Sequence, residues 1–324
     1  MTFGSKITDT IGKLHRKFWR EEWNVGVIAQ SAEEIFRNGI TQPVRWLPQR
    51  SPWEMLADPS VVTTPNGNRF LLTERMNHWS GRGEIWSAPI LASADFAKLE
   101  LAPWIHASCH LSYPFPFHDD GGSLWFMMES WESGALHLWR EEEGALRHIG
   151  PVIEAPVLDA TPWYDGSEWW LFCTFRNDGS NERLQLFYSS HPAGPWVAHP
   201  ANPIKQDRAS SRPAGPLFWA DGKLVRPAQD CSKTYGGAIV LNEVVRLDHE
   251  GFQEVEVRRL APDVAYPDGL HTLCPAGDQT IVDGKRWAFQ VLDVPCKLAS
   301  ALQGRVRPLG RAGLPGRAFL PRIR

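Results

Sequence analysis

The chain has 324 residues, of which 43% are hydrophobic and 22% charged, and its formal net charge is −3 at pH 7. This length accommodates one large β domain or two smaller ones, and the charge provides no overall attraction to nucleic acid, which we exclude as a partner. The five cysteines show no metal-binding spacing, and an odd number without a secretion signal favours reduced thiols and a cytoplasmic location.

The first 22 residues are predicted to form a basic amphipathic helix. Ile7, Ile11, Leu14 and Phe18 recur at spacings of four, three and four, which places them on one helical face. We expect this helix to dock on the rim of the domain that follows. The alternative is contact with an acidic membrane surface.

The next segment alternates in polarity and reads as a strand, WNVGVI at residues 23–28. We expect it to complete the last blade of a propeller and so to close the ring. Residues 33–53 contain three prolines and are predicted to be a connector.

From Asp58 onwards one layout occurs five times: a polar or small opening residue, a tight turn, and then an apolar strand. Asp-Gly or Asn-Gly between hydrophobic runs is a strong hairpin signal. The five units open near positions 58, 112, 159, 211 and 270, and a spacing of about 50 residues is typical of propellers. The turns are Asn66-Gly67, Asp120-Gly121, Asp165-Gly166, Asp221-Gly222 and Asp283-Gly284.

Each unit is a small antiparallel sheet that buries its faces by stacking radially on its neighbours. The predicted fold is therefore an all-β, five-bladed β-propeller over residues 23–293, preceded by the short N-terminal helix. A β-sandwich or two separate β-domains are the alternatives. Residues 294–324 are predicted to be a disordered or loosely docked tail, since from residue 297 they contain six Arg, several Gly and Pro, and no acidic residue.

In a propeller the innermost strands line a central channel, and their first residues meet at one mouth. The opening residues should therefore lie together although they are far apart in sequence. Buried charges are costly unless they are paired, so this mixture of charges predicts acid–base chemistry on a polar ligand. The residues concerned are Asp58, His110, Tyr113, Asp159, Arg212 and His271.

Two further carboxyl groups are candidate catalytic residues. Glu129 ends an apolar strand, where desolvation would raise its pKa and favour a proton donor. Asp230 occupies the comparable position in the fourth unit. The alternative for each residue is a structural role: Glu129 pairs with Arg75 or Arg212, and Asp230 caps a loop. Glu254 and Glu256 are predicted to lie on a solvated face.

Several side chains are candidate ligand contacts, and no metal site is predicted. Arg212 and Arg226 suit a ligand that carries a carboxylate or phosphate, because a guanidinium matches those acceptors. The expected partner is therefore a carbohydrate, with an anionic group as an option. The contact set is His110, Tyr113, Arg212, Arg226, Gln229 and His271.

Two motifs resemble the clan that contains glycoside hydrolase families 32, 43, 62 and 68: ADPSVV at 57–62 and LDATPWYDGSEWWLF at 158–172. A second set is more similar to the N-terminal domain of glucosamine inositolphosphorylceramide transferases and its free-standing bacterial relatives, over about residues 23–290. These motifs are HLSYPFPF (110–117), MMESWESG (127–134), SRPAGPLF (211–218), RPAQDCSKTYGGAI (226–239) and GLHTL (269–273).

The clan resemblance implies roles for individual residues. Asp58 would be the general base that activates water, and Asp159 would orient the sugar and tune the pKa of the acid. The clan's acid is a glutamate in the fourth blade, but the fourth unit here opens with Arg212, so Glu129 or Asp230 would have to take that role. The resemblance also implies a structural cation in the central channel, next to His271.

The predicted function is that of a glycoside hydrolase-like enzyme that cleaves a furanosidic or related bond in a surface glycan or glycoconjugate. The alternative is a non-catalytic carbohydrate-binding propeller that serves a glycosyltransferase. A purely structural interaction propeller is disfavoured by the charged opening residues.

Overall fold

Five antiparallel sheets form the blades of a β-propeller in the computed structural model, which describes residues 18–90, 95–105, 107–306, 314 and 317–319. The predicted fold class is confirmed. The chain begins with β1 (Trp19–Ile28), α1 (Ala32–Asn38) and β2 (Val44–Trp46). Blade one contains β3 (Glu54–Thr63), β4 (Arg69–Asn77), β5 (Arg82–Pro89) and β6 (Ala102–Ile105). Blade two contains β7 (Ser112–His118), β8 (Leu124–Glu129), β9 (Leu136–Glu142) and β10 (Ala145–Ile153).

The remaining blades follow in chain order. Blade three contains β11 (Val157–Tyr164), β12 (Trp169–Phe175), β13 (Arg183–Ser189), β14 (Val197–Ala198) and β15 (Lys205–Gln206). Blade four contains β16 (Phe218–Ala220), β17 (Lys223–Asp230), β18 (Ala238–Asp248) and β19 (Gly251–Leu260). Blade five contains β20 (Leu273–Pro275) and β21 (Thr280–Phe289), followed by α2 (Asp293–Val306) and β22 (Arg317–Phe319).

The N-terminal strand closes the ring. β1 pairs antiparallel with β21 along its whole length, from Trp19 opposite Phe289 to Ile28 opposite Thr280, and β2 pairs with the other edge of β1. Blade five is thus built from both ends of the chain. The predicted helix over residues 1–22 is wrong at its C-terminal end, because Trp19 already belongs to β1; residues 1–17 lie outside the described part of the chain.

The hydrophobic core lies between the blades. Five clusters of buried apolar side chains are found in the described residues, one at each junction between neighbouring blades. α1 adds Ile35 and Phe36 to the junction of blades four and five. All five cysteines are buried and free, and neither described α-helix is long and apolar enough to span a membrane.

Four of the five predicted turns connect β-strands as expected. In the two-residue turn between β16 and β17, Asp221 and Gly222 have φ angles of 51° and 74°, as a type I′ turn requires. The fifth prediction is wrong: Asp283 and Gly284 lie within β21, opposite Val25 and Asn24 of β1. Pairing with a distant strand overrode the local turn preference.

The predicted loose tail is also wrong in part. Asp293–Val306 forms α2, and Arg317–Phe319 adds β22 to the outer edge of blade two by pairing with β10. Strand pairing is made by backbone groups and does not require a particular side-chain pattern. The composition of this segment therefore did not predict the pairing of β22 with β10.

Candidate functional site

The inner strands of blades one to three share a bulge at the opening residue. At this point the pairing of each inner strand with the next strand skips two residues. Asp58, Tyr113 and Asp159 adopt φ angles of 50°, 43° and 50°, a left-handed conformation that costs roughly 1–2 kcal/mol for a residue with a Cβ atom. The same strained geometry therefore occurs at three of the five predicted openers.

Each strained residue is held by a carboxylate from the preceding blade. The backbone N–H of Asp58 donates to Asp283 Oδ2 at 3.0 Å, that of Tyr113 to Asp58 Oδ2 at 3.2 Å, and that of Asp159 to Glu129 Oε2 at 3.2 Å. Backbone strain persists where the surroundings over-determine it and is frequent at functional sites. These bonds link the blades and gather the carboxylates at one end of the axis.

Asp159 forms a buried ion pair with Arg212. Arg212 Nε lies 2.5 Å from Asp159 Oδ2, and Gln229 Nε2 donates to the same oxygen at 3.1 Å. A further guanidinium N–H of Arg212 donates to Asn181 at 3.0 Å. Burial alone would lower the pKa of Arg212, but the Asp159 carboxylate raises it well above its ordinary value. The fourth blade thus supplies a permanent cation where the clan has an acid.

Glu129 is a buried carboxyl group next to this pair. Burial and the negative charge of Asp159 raise its pKa to about 7, against the opposing effects of Arg212 and His110. A carboxyl group with this pKa still holds its proton in a large fraction of molecules at neutral pH, and it can therefore act as a general acid.

Asp58 lies at the same end of the axis as Asp159. Burial raises the pKa of Asp58 well above its ordinary value, His271 lowers it, and the charge of Asp159 raises it further. Asp58 Oδ1 accepts a hydrogen bond from Thr272 at 3.3 Å and lies 3.7 Å from His271 Nε2. The side chains of blades one, three and five therefore share one cluster.

Asp283 also belongs to this cluster, although the sequence predicted a turn at this position. Its carboxylate receives the backbone N–H groups of Asp58, His271 and Thr272, and His271 Nδ1 lies 2.6 Å away. One possible metal-ligand atom from each of Asp58, His271 and Asp283 lies within 4.8 Å of the other two. However, the four N–H groups that contact Asp283 already occupy the lone pairs of its carboxylate oxygens. These residues therefore fit the implied cation poorly.

Tyr235 was not predicted as a site residue, but its ring packs against the two basic side chains of the cluster, Arg212 and His271. Its ring lies 4.8 Å from the Arg212 guanidinium carbon and meets the His271 ring edge to face at 5.3 Å. The fully buried Lys285 donates to the Tyr235 carbonyl. Gly236 has a φ of +57°, and a Cβ there would lie 2.6 Å from His271. The Gly-Gly pair after Tyr235 was the sequence signal for this close approach.

A small cavity lies next to the cluster. Its volume is about 40 Å³ and it is lined by Asp58, Tyr113, Gly215 and Thr272, which is room for water but not for a sugar. Among the described residues, this cavity therefore does not admit a sugar to the cluster.

The Tyr113 side chain makes hydrogen bonds that connect blades two, three and four next to this cavity. Its hydroxyl is 2.9 Å from Thr161 Oγ1 and accepts the Gly215 N–H at 2.9 Å. We expect Tyr113→Phe to lower the free energy of unfolding by about 1–3 kcal/mol, because it leaves a buried N–H unsatisfied. Urea denaturation measures this change, and Tyr188→Phe, at a partly exposed ring, is the control. Equal stability of the two variants would contradict the assigned role.

Two predicted site residues lie outside the Asp159 cluster. Arg226 forms an ion pair with Glu254 at 2.6 Å, and Asp230 is bonded to Ser232 and Arg259. Side chains alternate along β17, so Gln229 faces Asp159 while Arg226 and Asp230 face away. The ligand-contact and acid roles predicted for these two residues are therefore not supported by their positions.

His110 and Glu254 also differ from expectation. His110 Nδ1 accepts the Gly83 N–H at 3.0 Å, and its Nε2 lies 3.2 Å from Glu74, so it braces blades one and two at the edge of the cluster. Glu254 is not solvated: its side chain is 3% exposed and contacts both Arg226 and Lys205.

Sequence comparison gives a family and several relatives. Residues 30–264 match the family described as glucosamine inositolphosphorylceramide transferase 1, N-terminal. Proteins named glucosamine inositolphosphorylceramide transferase 1 are 34% identical over 217 residues in Oryza sativa subsp. japonica and 31% identical over 214 residues in Arabidopsis thaliana. Each alignment covers 64% of this chain but 28% of the relative, so the chain matches about a quarter of their length.

Structure comparison supports the fold. Zg3597, a family 117 glycoside hydrolase of Zobellia galactanivorans, matches with a TM-score of 0.50 and 11% identity over 82% of this chain and 90% of that one. CoXyl43, a family 43 β-xylosidase/α-arabinofuranosidase from a compost metagenome, matches with a TM-score of 0.51 and 15% identity over 74% of this chain and 84% of that one. The resemblance to the transferase N-terminal domain is confirmed at the level of the family, and the resemblance to the glycoside hydrolase clan is confirmed at the level of the fold alone.

Proposed function

The chain belongs to the family of the N-terminal region of glucosamine inositolphosphorylceramide transferase 1, and on that premise we propose that it binds a sugar at the axial cluster and cleaves its glycosidic bond. The observation that carries the proposal is the buried acid Glu129, with its pKa raised to about 7, next to Asp159 at the end of the axis that also holds Asp58. Two carboxyl groups in different environments are the minimum that glycoside hydrolysis requires.

The roles follow from the contacts of each group. Glu129 donates a proton to the leaving oxygen. Asp58 takes a proton from water, and the neighbouring His271 favours its ionised form by lowering its pKa against the effect of burial. Asp159 is held by Arg212 and Gln229, so its part is to orient sugar hydroxyls and to keep the pKa of Glu129 high.

The ligand class we propose is a glycoconjugate that carries a phosphate or carboxylate. Arg212 provides a cation at the mouth whose guanidinium suits such an acceptor. The names of the curated relatives include glucosamine and inositolphosphorylceramide, which adds amino sugars and phosphorylated inositol to the candidates.

The second candidate function is sugar binding without catalysis, in the service of a glycosyltransferase. One observation favours it: the fourth opener is Arg212, whose cation is already paired with Asp159, where the clan has a catalytic acid. The curated relatives are named as transferases and are much longer than the matched region.

Replacing Asp58 with asparagine separates the two candidates. With a panel of aryl-furanosides and aryl-pyranosides, we expect kcat to fall by at least about 100-fold, as removal of a general base does, while the affinity measured by calorimetry is largely kept. Asp178→Asn, at an aspartate whose side chain is 45% exposed, is the control.

The outcomes differ for the two functions. Binding without turnover in the unmodified chain would support the accessory role and reject hydrolysis. Absence of binding to every sugar of the panel and to inositol phosphates would reject both.

A further inference from the structure

The segment between β17 and β18 crosses from blade four to blade five at the axial cluster. It comprises residues 231–237, and its Gly236 carbonyl accepts the Leu270 N–H at 2.8 Å. Lys285, which is completely buried, donates to the Tyr235 carbonyl. The backbone that carries the Tyr235 side chain is therefore held by blade five.

The ring of Tyr235 is also held in place. The guanidinium carbon of Arg212 lies 4.8 Å from the ring centre, and His271 and Trp23 meet the ring edge to face, with ring centres 5.3 and 6.0 Å away. A guanidinium in this position is attracted by the face of the ring. Packing thus sets the direction of the hydroxyl group, while the residue stays partly exposed.

The charges of the axial cluster act on the Tyr235 hydroxyl. Burial raises the pKa of this hydroxyl well above its ordinary value, and Arg212 opposes this effect. The carboxylates of Asp159, Asp58 and Glu129 raise the pKa further. The hydroxyl therefore lies close to these groups, keeps its proton at neutral pH and can donate a hydrogen bond.

The two tyrosines of the cluster differ in their hydrogen bonds. The Tyr113 hydroxyl contacts the Thr161 hydroxyl and the Gly215 N–H, both at 2.9 Å. Among the residues that the structure describes, no group forms a hydrogen bond with the Tyr235 hydroxyl. A polar group next to several buried charges is normally paired, so the Tyr235 hydroxyl has its donor available for a bound ligand.

Other donors near Asp159 are already engaged. Three N–H groups of Arg212 donate, two to Asp159 and one to Asn181. Gln229 Nε2 donates to Asp159 and to a backbone carbonyl, which uses both of its N–H groups. A sugar hydroxyl that donates to a carboxylate also needs a donor for its own oxygen, and the Tyr235 hydroxyl is available for this contact.

We infer that Tyr235 contacts the bound sugar and donates a hydrogen bond to one of its oxygens at the axial cluster. This inference rests on the proposed function, because it requires a sugar next to Asp58, Asp159 and Glu129. The hydroxyl selects ligands that present an oxygen at this point, since any other ligand leaves the hydroxyl unpaired in a partly buried position.

Catalysis by the Tyr235 oxygen fits the contacts less well. A tyrosine nucleophile must lose its proton, and burial and the three carboxylates oppose this loss. The expected contribution is therefore to binding, which is measured in KM rather than in kcat.

The test compares Tyr235→Phe with the unmodified full chain. Phenylalanine keeps the ring and its contacts with Arg212 and His271, so the midpoint of urea denaturation should not change, whereas Tyr113→Phe should lower it. In calorimetry with the aryl-furanosides, aryl-pyranosides and inositol phosphates, the affinity for the probes that bind should fall roughly 3- to 10-fold, as loss of one hydrogen bond does. For a probe that is cleaved, KM should rise by the same factor while kcat is largely kept.

The matched control is Tyr188→Phe, at a partly exposed ring in β13, which should change neither affinity nor KM. Three results would overturn the inference. These are equal affinities of the Tyr235→Phe and unmodified proteins for every probe that binds, a loss of stability as large as that of Tyr113→Phe, or a fall in kcat without a loss of affinity.

Failure of this inference can be separated from failure of the proposed function. A probe that both proteins cleave with the same KM and kcat overturns the inference and leaves hydrolysis standing. A probe that binds more weakly to Tyr235→Phe and that neither protein cleaves supports the inference and rejects hydrolysis. If no probe binds to the unmodified chain, both fail.

Discussion

Replacing Arg226 with methionine should lower the free energy of unfolding by about 3–5 kcal/mol, because it leaves a buried carboxylate without its main partner. Arg226 is completely buried and donates to both oxygens of Glu254, at 2.7 and 2.6 Å. The same guanidinium donates to the carbonyls of Ser210 and Ser211. Lys205 remains near Glu254 at 2.7 Å, so the loss should fall towards the lower end of that range.

The control is an ion pair in the same blade that differs in exposure. Lys223 and Glu243 are 2.7 Å apart, with side chains that are 45% and 25% exposed, and Lys223→Met should change stability by less than about 1 kcal/mol. Adding Glu254→Gln to Arg226→Met should restore part of the loss, since it removes the unpaired charge. Equal losses for the Arg226 and Lys223 variants in guanidinium denaturation would show that the Arg226 pair is not buried in solution.

This pair also positions the candidate site. Arg226 holds the two carbonyls that directly precede Arg212, and Arg212 lowers the pKa of Glu129. Loss of the hydrogen bonds to Ser210 and Ser211 should allow Arg212 to move away from Glu129. The pKa of Glu129 should therefore rise above its value of about 7. NMR titration of the Glu129 carboxyl group in the Arg226→Met protein reports this shift, which a loss of stability alone does not produce.

Replacing Glu129 with glutamine should stabilise the protein at high pH and have little effect at low pH. In the folded protein the pKa of Glu129 is about 7, and its ordinary value is 4.5. The folded state therefore binds this proton more tightly than the unfolded state does. The stability that this proton contributes is fully present below about pH 4.5 and is lost as the pH rises through about 7.

Glutamine resembles the protonated carboxyl group and can still accept the Asp159 N–H. The difference in unfolding free energy between Glu129→Gln and the unmodified protein should therefore grow to about 3 kcal/mol between pH 4 and pH 8, the energy that corresponds to this pKa difference. Titrating groups that do not interact with Glu129 are common to both proteins and cancel. Glu142→Gln, at a side chain that is 37% exposed, is the control, and a difference that does not vary with pH would contradict the raised pKa.

Several charged groups are buried at one end of the propeller axis, and the way in which they are paired differs from one group to the next. Asp159 is paired with Arg212, and Asp283 with His271. Among the described residues, Asp58 and Glu129 receive backbone N–H groups but form no ion pair with a lysine or arginine, and their pKa values are raised. Glu129 therefore keeps a proton that it can transfer to a ligand, whereas His271 favours the ionised form of Asp58.

Local sequence signals were reliable where one strand or turn decides the structure. The turn at Asp221-Gly222 was predicted from its Asp-Gly dipeptide. These residue types are favoured where both positions of a turn have positive φ angles, as they do here. The same dipeptide at Asp283-Gly284 was misread because β1, more than 250 residues away in the chain, pairs with that segment. The alternation of side chains along β17 places Gln229 on one face of the strand and Arg226 and Asp230 on the other, and this difference is present in the sequence.

The five-blade architecture and the opening residues Asp58, Tyr113, Asp159, Arg212 and His271 could be derived from sequence alone. Hairpin turns and alternating strands depend on neighbours in the chain, and their regular spacing reveals the repeat. Only the tertiary structure decided which charged groups meet: Asp58 with Asp283, Asp159 with Arg212, and Arg226 with Glu254. These contacts join different strands or blades, so they exist only after the sheets have formed and the ring has closed, and the energy of a buried charge depends on the partner that closure provides.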